Sequence, residues 1–282
     1  VIAVGNDERK DAELAERLAE ALDRWRCRPD GGELRGGMSI VVPVRSATGA
    51  PLMLKLLDAA TARMEAVALR AFPPAASVRC VDHADDLGAL LLERLASESL
   101  VGRPADEQIV VQAQLARALA VADPGGIPPL ATGLADHLDR LRERAPDLLG
   151  RRALEMSADV ASVLGRLPGA TLTHGDLHAA NVHRDADGIW RTLDPNPRVG
   201  TIAHESHTVV VERSRLAELI RDGGRLELVR RLDLFAEVAG VDAGLAAGAC
   251  QMRAALSALH AADEGNAPIA EQLGWMAEAL AE

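Results

Sequence analysis

Near residue 100 the hydrophobic pattern of this chain changes its period, and that change limits the folds open to it. Before it, the segments WRCRPDGG, ELRGGMSIVVPVRS, PLMLKLL, SVRCVDHA and LGALLLERL are short runs cut by Asp-Gly, Gly-Gly and Thr-Gly-Ala turns. Such runs read as strands of a hairpin-rich antiparallel sheet. Leu90, Leu91 and Leu92 are too apolar for an exposed strand, so theirs is expected in the interior of the sheet. Helical spacing covers residues 10–23, and 58–72 reads as a helix capped by Asp58 and stopped by Pro73-Pro74. After residue 100 helical periodicity takes over. Helices are expected over 105–122, 131–145, 151–166, 207–222, 225–239, 242–260 and 267–281. Short strands are expected at 181–185 and 189–194, joined by DADG. A small sheet followed by a helical half is an α+β chain with a cleft between its parts. The boundary falls in ERLASESLVGRP and divides the chain into 1–98 and 99–282.

Net charge is −11, which disfavours nucleic acid and suits a cationic small molecule. Cys27, Cys80 and Cys250 form no CxxC pair and read as buried, reduced thiols of a cytoplasmic protein. No apolar run reaches membrane-span length, and the charged first thirty residues do not resemble a signal peptide. Of 31 basic side chains only Lys10 and Lys55 are lysines. Lys10 lies in a charged stretch. Lys55 lies in the apolar run PLMLKLL, where a lysine against such a bias suggests a point charge that a guanidinium cannot replace.

The polar residues concentrate in THGDLHAANV (173–182) and TLDPNP (192–197). Asp176 and Asn181 are five apart, and Asp194 follows thirteen later. Phosphoryl transfer needs an aligned acceptor oxygen, a group to take its proton, and cations to neutralise the phosphate. Asp176 could take the proton, while Asn181 and Asp194 offer the hard oxygens that Mg²⁺ prefers. HGDLHAAN matches the kinase catalytic-loop pattern H-R-D-L-x-x-x-N at His, Asp, Leu and Asn. His174, His178 and His183 fit no zinc spacing. His174 reads as a buried histidine that holds the loop.

HGDLHAANV resembles the catalytic loop of the aminoglycoside phosphotransferases, which share the protein-kinase fold. WRCRPDGGELRGGMSIVVPVR, LKLL, EAVALRAF, VRCVDHADDLGALLLERL and LDPNPRVG extend the resemblance, in order, to the streptomycin 6-phosphotransferase and hydroxyurea-kinase branch, from about Trp25 to Gly200. The resemblance implies a bilobal fold, with a nucleotide-binding sheet lobe and a helical lobe for catalysis and acceptor binding. It implies Asp176 as base and Asn181 and Asp194 as Mg²⁺ ligands. Lys55 would meet the ATP phosphates and pair with Glu65. Gly36, Gly37 and Ser39, in the GGMS turn, would lie over those phosphates, with glycine allowing close backbone approach. Glu93 to Leu95 would present backbone groups to adenine. His178 stands where many kinases place a lysine near the γ-phosphate. Gly175 replaces the arginine that docks an activation-loop phosphate, which implies constitutive activity.

The reaction so implied is transfer of phosphate from Mg-ATP to a hydroxyl of a streptomycin-like aminoglycoside. The alternatives are a kinase of another small metabolite or of hydroxyurea, and a nucleotide-binding pseudokinase; the intact set Lys55, Glu65, Asp176, Asn181, Asp194 argues against the last. Three positions depart from the branch. GTIAHES stands where G-D-P-A-Y-D is usual, so Thr201 replaces one acid and Glu205 stands near the second. Asn196 replaces a lysine. The departure at Thr201 puts the bracing of the loop and the acceptor pocket in question. Absence of Tyr leaves aliphatic side chains to enclose a purine. The three tryptophans and two phenylalanines are expected in the core, and the arginines at 140–144 and 151–152 on solvated helix faces.

Overall fold

The computed structural model describes residues 4–35, 39–144, 148–167, 169–210 and 215–282. Helix α1 (Val4–Arg24) leads into β1 (Arg28–Pro29), β2 (Leu34–Arg35), β3 (Ile40–Arg45) and β4 (Pro51–Leu56). Helix α2 (Ala59–Ala71) precedes β5 (Cys80–Ala84) and β6 (Ala89–Glu93). All six strands pair antiparallel in the order β1-β3-β4-β6-β5, with β2 beside β3. The Leu90–Leu92 strand is therefore interior, as its composition required.

Two-residue periodicity sorts the faces of this sheet. Ile40, Val42, Val44, Leu52, Leu54 and Leu56 pack with Leu14, Leu18 and Ala21 of α1. The alternate residues Met53, Leu90 and Leu92 pack with Ala62, Ala66 and Leu69 of α2. Lys55 pairs with Leu90 in the register and shares this second face, so a one-residue slip would turn it away from α2. Asp58 accepts the N–H groups of Ala60 and Thr61 and starts α2 where its type indicates. Arg17 of α1 donates to the carbonyls of Leu57 and Leu87 and ties that helix to both ends of the sheet's central loops.

The rest of the chain is mainly helical: α3 (Ala105–Leu119), α4 (Leu134–Arg144), α5 (Arg151–Leu164), α6 (Ser206–Val210), α7 (Leu216–Asp222), α8 (Gly224–Ala239), α9 (Ala243–Asp263) and α10 (Ala267–Ala281). Helix α9 is the axis. Its buried Ala246, Ala249, Cys250, Ala254 and Ala258 let α5, α6, α8 and α10 pack against it. Two small hairpin-like sheets hold the polar segment: β7 (Thr171–Thr173) pairs with β10 (Arg198–Gly200), and β8 (Val182–Arg184) with β9 (Trp190–Thr192). The N–H of Val78 donates to Thr192 O at 2.8 Å, which places the end of β9 against the sheet half of the molecule.

Several expectations need correction. The helix expected over 207–222 is two helices, α6 and α7, with 211–214 outside the described residues. The pairing of β7 with β10 was not anticipated, because three-residue strands carry too little periodicity to read. Trp25, Trp190 and Trp275 are only half-buried, while Phe72 and Phe235 are core. The Trp25 indole donates to Asp82 at 2.9 Å, and Arg184 stacks on Trp190, 4.1 Å from the ring centroid. Both contacts keep a charged side chain against an indole at the boundary of the core rather than inside it. All three cysteines are free, but Cys27 and Cys80 are half-buried and only Cys250 is fully so.

Candidate active site

Lys55 and Glu65 form the innermost part of the site. Nζ lies 2.8 and 2.7 Å from the two Glu65 oxygens and 3.0 Å from Asp194 Oδ1. Both partners of the first pair are buried. Burial disfavours the ammonium, but two carboxylates outweigh it and hold Lys55 above the ordinary lysine range. Burial pushes Glu65 up to about 7 despite Lys55. The ammonium thus spends its three protons on three carboxylate oxygens, a geometry a planar guanidinium cannot reproduce.

The loop from His174 to Asn181 leaves β7 and returns through a short 3₁₀ turn (Ala179–Asn181) into β8. His174 is buried; its Nε2 faces Leu193 O at 3.0 Å and its Nδ1 accepts the Asp176 N–H at 3.3 Å. Burial lowers its pKa to about 4, so it is the neutral ring that this donor-acceptor pattern requires. Its backbone O accepts the Asn196 N–H at 2.9 Å. Gly175 donates its N–H to Glu205 Oε1 at 2.7 Å, with Glu205 fully buried. Gln112 of α3 donates to Leu177 O at 2.7 Å, and Asn181 Nδ2 donates to Asp176 O at 2.9 Å. Arg253 of α9 reaches under the loop, with Nη1 3.2 Å from His204 O and Nη2 3.4 Å from Gly175 O.

These contacts account for Gly175. Its φ is +79°, and an added Cβ would stand 2.9 Å from the Asn196 carbonyl carbon and closer still to its oxygen. No side chain fits there, so the exchange of Arg for Gly is dictated by backbone packing. The doubt that Thr201 cast on the bracing is also resolved. Glu205 supplies the carboxylate, while Thr201 caps the 3₁₀ turn Ile202–Glu205 by accepting the Ala203 N–H.

Asp176 is half-exposed, and His178 Nε2 lies 3.5 Å from its Oδ2. Burial would raise the Asp176 carboxyl, but His178 and then His174 and Arg253 outweigh it and keep it below the usual range. It is a carboxylate at neutral pH. Asp194 adopts φ +57°, a left-handed conformation that few side chains tolerate and that often marks a working position.

The structure therefore brings Lys55, Glu65, Asp176, His178, Asn181 and Asp194 to one cleft between the sheet and the helices. Leu95 and Leu193 are half-buried on the α2 face of the sheet with Met53. Glu93 ends β6; its carboxylate lies 3.6 Å from Arg191 and accepts the Arg79 N–H at 3.3 Å. Ser39 immediately precedes β3, whereas Gly36 and Gly37 lie outside the described residues. Among the described residues no group of three or more His, Cys, Asp or Glu is placed to hold a metal ion.

The family model of aminoglycoside/hydroxyurea antibiotic resistance kinases matches residues 24–265. The chain belongs to this family. A streptomycin 6-kinase of Streptomyces glaucescens is 31% identical over 95% of this chain and 90% of its own length. A hydroxyurea phosphotransferase of Kitasatospora aureofaciens is 32% identical over 95% of this chain and 78% of its own length. A solved aminoglycoside phosphotransferase, in ternary complex with ADP and hygromycin B, superposes with a TM-score of 0.59 over 91% of this chain and 95% of that one, at 14% identity. This family member has the bilobal protein-kinase-like fold and is a small-molecule kinase, an ATP-dependent phosphotransferase. No described helix is long and apolar enough to cross a membrane.

Sequence reasoning missed Gln112, Glu205 as brace, and Arg253. All three act on backbone carbonyls or amides of the loop from distant helices or turns. The available signal was one charge in an apolar run, as in GACQMRAALSAL, and such a signal does not name its partner.

Proposed function

We propose that this kinase transfers the γ-phosphate of Mg-ATP to a hydroxyl of a small molecule bound beside Asp176. The observation that carries the reading is the convergence at one cleft of an ionised Asp176, Asn181 bonded to its carbonyl, and Asp194 bonded to a buried lysine. The Asp176 carboxylate accepts the acceptor's proton as its oxygen bonds to the γ-phosphorus and the bond to the β-phosphate oxygen breaks, releasing ADP. Lys55, fixed by Glu65, contacts the α- and β-phosphates. His178 donates towards the γ-phosphate. The adenine meets backbone groups at Glu93 to Leu95 and the aliphatic side chains of Met53 and Leu193; Gly36, Gly37 and Ser39 cover the phosphates.

Mg²⁺ suits the donor set. Asn181 turns its Nδ2 to the loop, which leaves Oδ1 with no described donor, and Asp194 keeps Oδ2. Two hard oxygens, with phosphate and water for the rest, are what this ion takes. When bound it neutralises the charge on the β- and γ-oxygens.

The lobes divide at 98/99, and the enzyme works in the cytoplasm, where ATP is available. The relatives' names suggest streptomycin-like aminoglycosides or hydroxyurea as acceptors. A kinase of another small metabolite is the second reading, favoured by the charge of the cleft wall described below. The test is Asp176→Asn. Mg-ATP affinity should stay close to that of the unmodified protein, while turnover in an ADP-release assay falls at least about 10²-fold. Near-normal turnover would remove Asp176 from the role of base.

A further inference from the structure

A cavity of about 440 Å³ opens beside the catalytic loop, floored by Gly175 and Asn196. Its walls come from α4, β10 and α9. Three of its side chains are Arg140, Arg198 and Arg253, and among the described lining residues the one carboxylate is Asp263. That carboxylate is already taken: Arg140 lies 2.6 Å and Arg144 3.0 Å from it. Arg253 is spent on the carbonyls of the loop.

Arg198 is different. It is half-buried, and burial holds its pKa below the ordinary arginine value. Its Nη1 donates to Asn196 Oδ1 at 3.1 Å and Pro197 O at 2.7 Å, and no described carboxylate pairs with it. A half-buried cation with neutral partners is left short of the charge that would offset its desolvation. Its position is fixed. Arg198 pairs with Thr173 across β7 and β10, and Thr173 Oγ1 donates to Arg198 O at 3.0 Å. The Arg198 backbone is thus anchored to the strand that leads to Asp176, and the Nη1 bonds hold the guanidinium beside it. Three histidines, His137, His204 and His260, also face the cavity, so among the described residues its titratable lining is cationic or neutral apart from Asp263. This stands against a chain of net charge −11.

A polycationic aminoglycoside needs free carboxylates on the wall that receives it. On the basis of the kinase reading above, we propose that the acceptor of this enzyme carries an anionic group, a carboxylate or a phosphate monoester, near the hydroxyl to be phosphorylated. Arg198 seats that group, with Arg140 at the rim, while Asp176 takes the proton of the hydroxyl. Anionic oxygens match the planar guanidinium fork. The γ-phosphate is transferred as above, giving ADP and an acceptor that bears one more phosphate.

The test uses matched pairs of alcohols: gluconate against sorbitol, and glycerol 3-phosphate against glycerol, with streptomycin alongside. Affinity is measured by calorimetry on the full chain with Mg-ADP bound, and turnover by ADP release. The anionic member of at least one pair should bind about tenfold tighter or more, and which pair shows it identifies carboxylate or phosphate as the seated group. Arg198→Ala should raise KM for that compound about tenfold with little change in its kcat, and Arg198→Lys should recover part of the loss. Equal affinity within both pairs, no binding by either anionic compound, or a kcat/KM for streptomycin above every anionic acceptor would overturn the assignment while Mg-ATP binding stands. Failure of the unmodified protein to bind Mg-ATP would overturn the kinase reading along with it.

Discussion

Gly175→Ala tests whether catalysis depends on the close approach of two backbone segments. The methyl group would stand 2.9 Å from the Asn196 carbonyl carbon, against an ordinary carbon–carbon contact of about 3.5–4.0 Å. The neighbour is backbone, pinned by the Asn196 N–H on His174 O, so no rotamer change relieves the contact. The loop must withdraw by about 1 Å, and displacement on that scale costs about 10²-fold in rate when it misplaces a reacting group. The left-handed φ adds about 1–2 kcal/mol of strain for alanine. Gly49→Ala is the control, because it has φ +86° with nothing within 4 Å of the added methyl. Both variants should lose stability from strain in denaturant titrations, and Gly175→Ala more, because its methyl also meets fixed backbone. Only Gly175→Ala should lose turnover, by about 10²-fold, with Mg-ATP affinity retained. Equal turnover in the two variants would show that the contact between Gly175 and Asn196 does not set the position of Asp176.

Lys55→Arg keeps the charge but cannot reproduce three bonds from one nitrogen; losing one charge-assisted bond, worth about 1.5–3 kcal/mol, should lower kcat/KM about tenfold or more, and wild-type efficiency would reduce Lys55 to a plain cation. Asp194→Ala should abolish Mg²⁺-dependent nucleotide binding in calorimetry, and Asp194→Asn, which tolerates the left-handed φ, should weaken it strongly without the backbone strain; unchanged affinity in Asp194→Asn would remove the ligand role. His174 titrates near 6.5 unfolded and about 4 folded, so its contribution is complete above pH 6.5 and is lost as pH falls towards 4. It should amount to about 2 kcal/mol between pH 7 and pH 5. Denaturant titrations of His174→Gln should show a correspondingly flatter loss of stability over that interval, and parallel curves would mean that His174 is not the buried neutral ring.

What the sequence made legible was chemistry and period. Lys55 stood out as a lysine in an arginine-biased chain, and Asp176, Asn181 and Asp194 by their spacing in a polar segment, whereas Glu65 came from the family resemblance alone. The sheet was readable because alternation from Ile40 to Leu56 matches its two faces. What escaped was support from a distance. Glu205 is thirty residues from the Gly175 amide it accepts, and Arg253 lies on an alanine-rich helix whose periodicity says only that it is buried on most sides. Neither charge has a local pattern, because each partner is a backbone atom and a backbone atom leaves no mark in a sequence. Arg140 was expected on a solvated helix face, and its side chain is largely exposed there; what the pattern did not show is that this face also borders the cavity beside the catalytic loop.

The same contacts explain how the loop is held without a phosphate switch. In regulated kinases an arginine before the catalytic aspartate waits for a phosphorylated residue, and ordering of the activation segment follows from that pair. Here no arginine fits at Gly175, since backbone already fills the space where its Cβ would lie. The corresponding positive charge comes instead from Arg253, delivered by α9, which forms part of the helical core. Glu205 holds the amide of Gly175 while Arg253 holds its carbonyl, so the peptide units on either side of Gly175 are each fixed by a buried or half-buried charge. Neither partner depends on a modification, and releasing either would leave a charge stranded in a low-dielectric interior. With both ends of Gly175 held in this way, the expected behaviour is an enzyme that is active whenever nucleotide and acceptor are present.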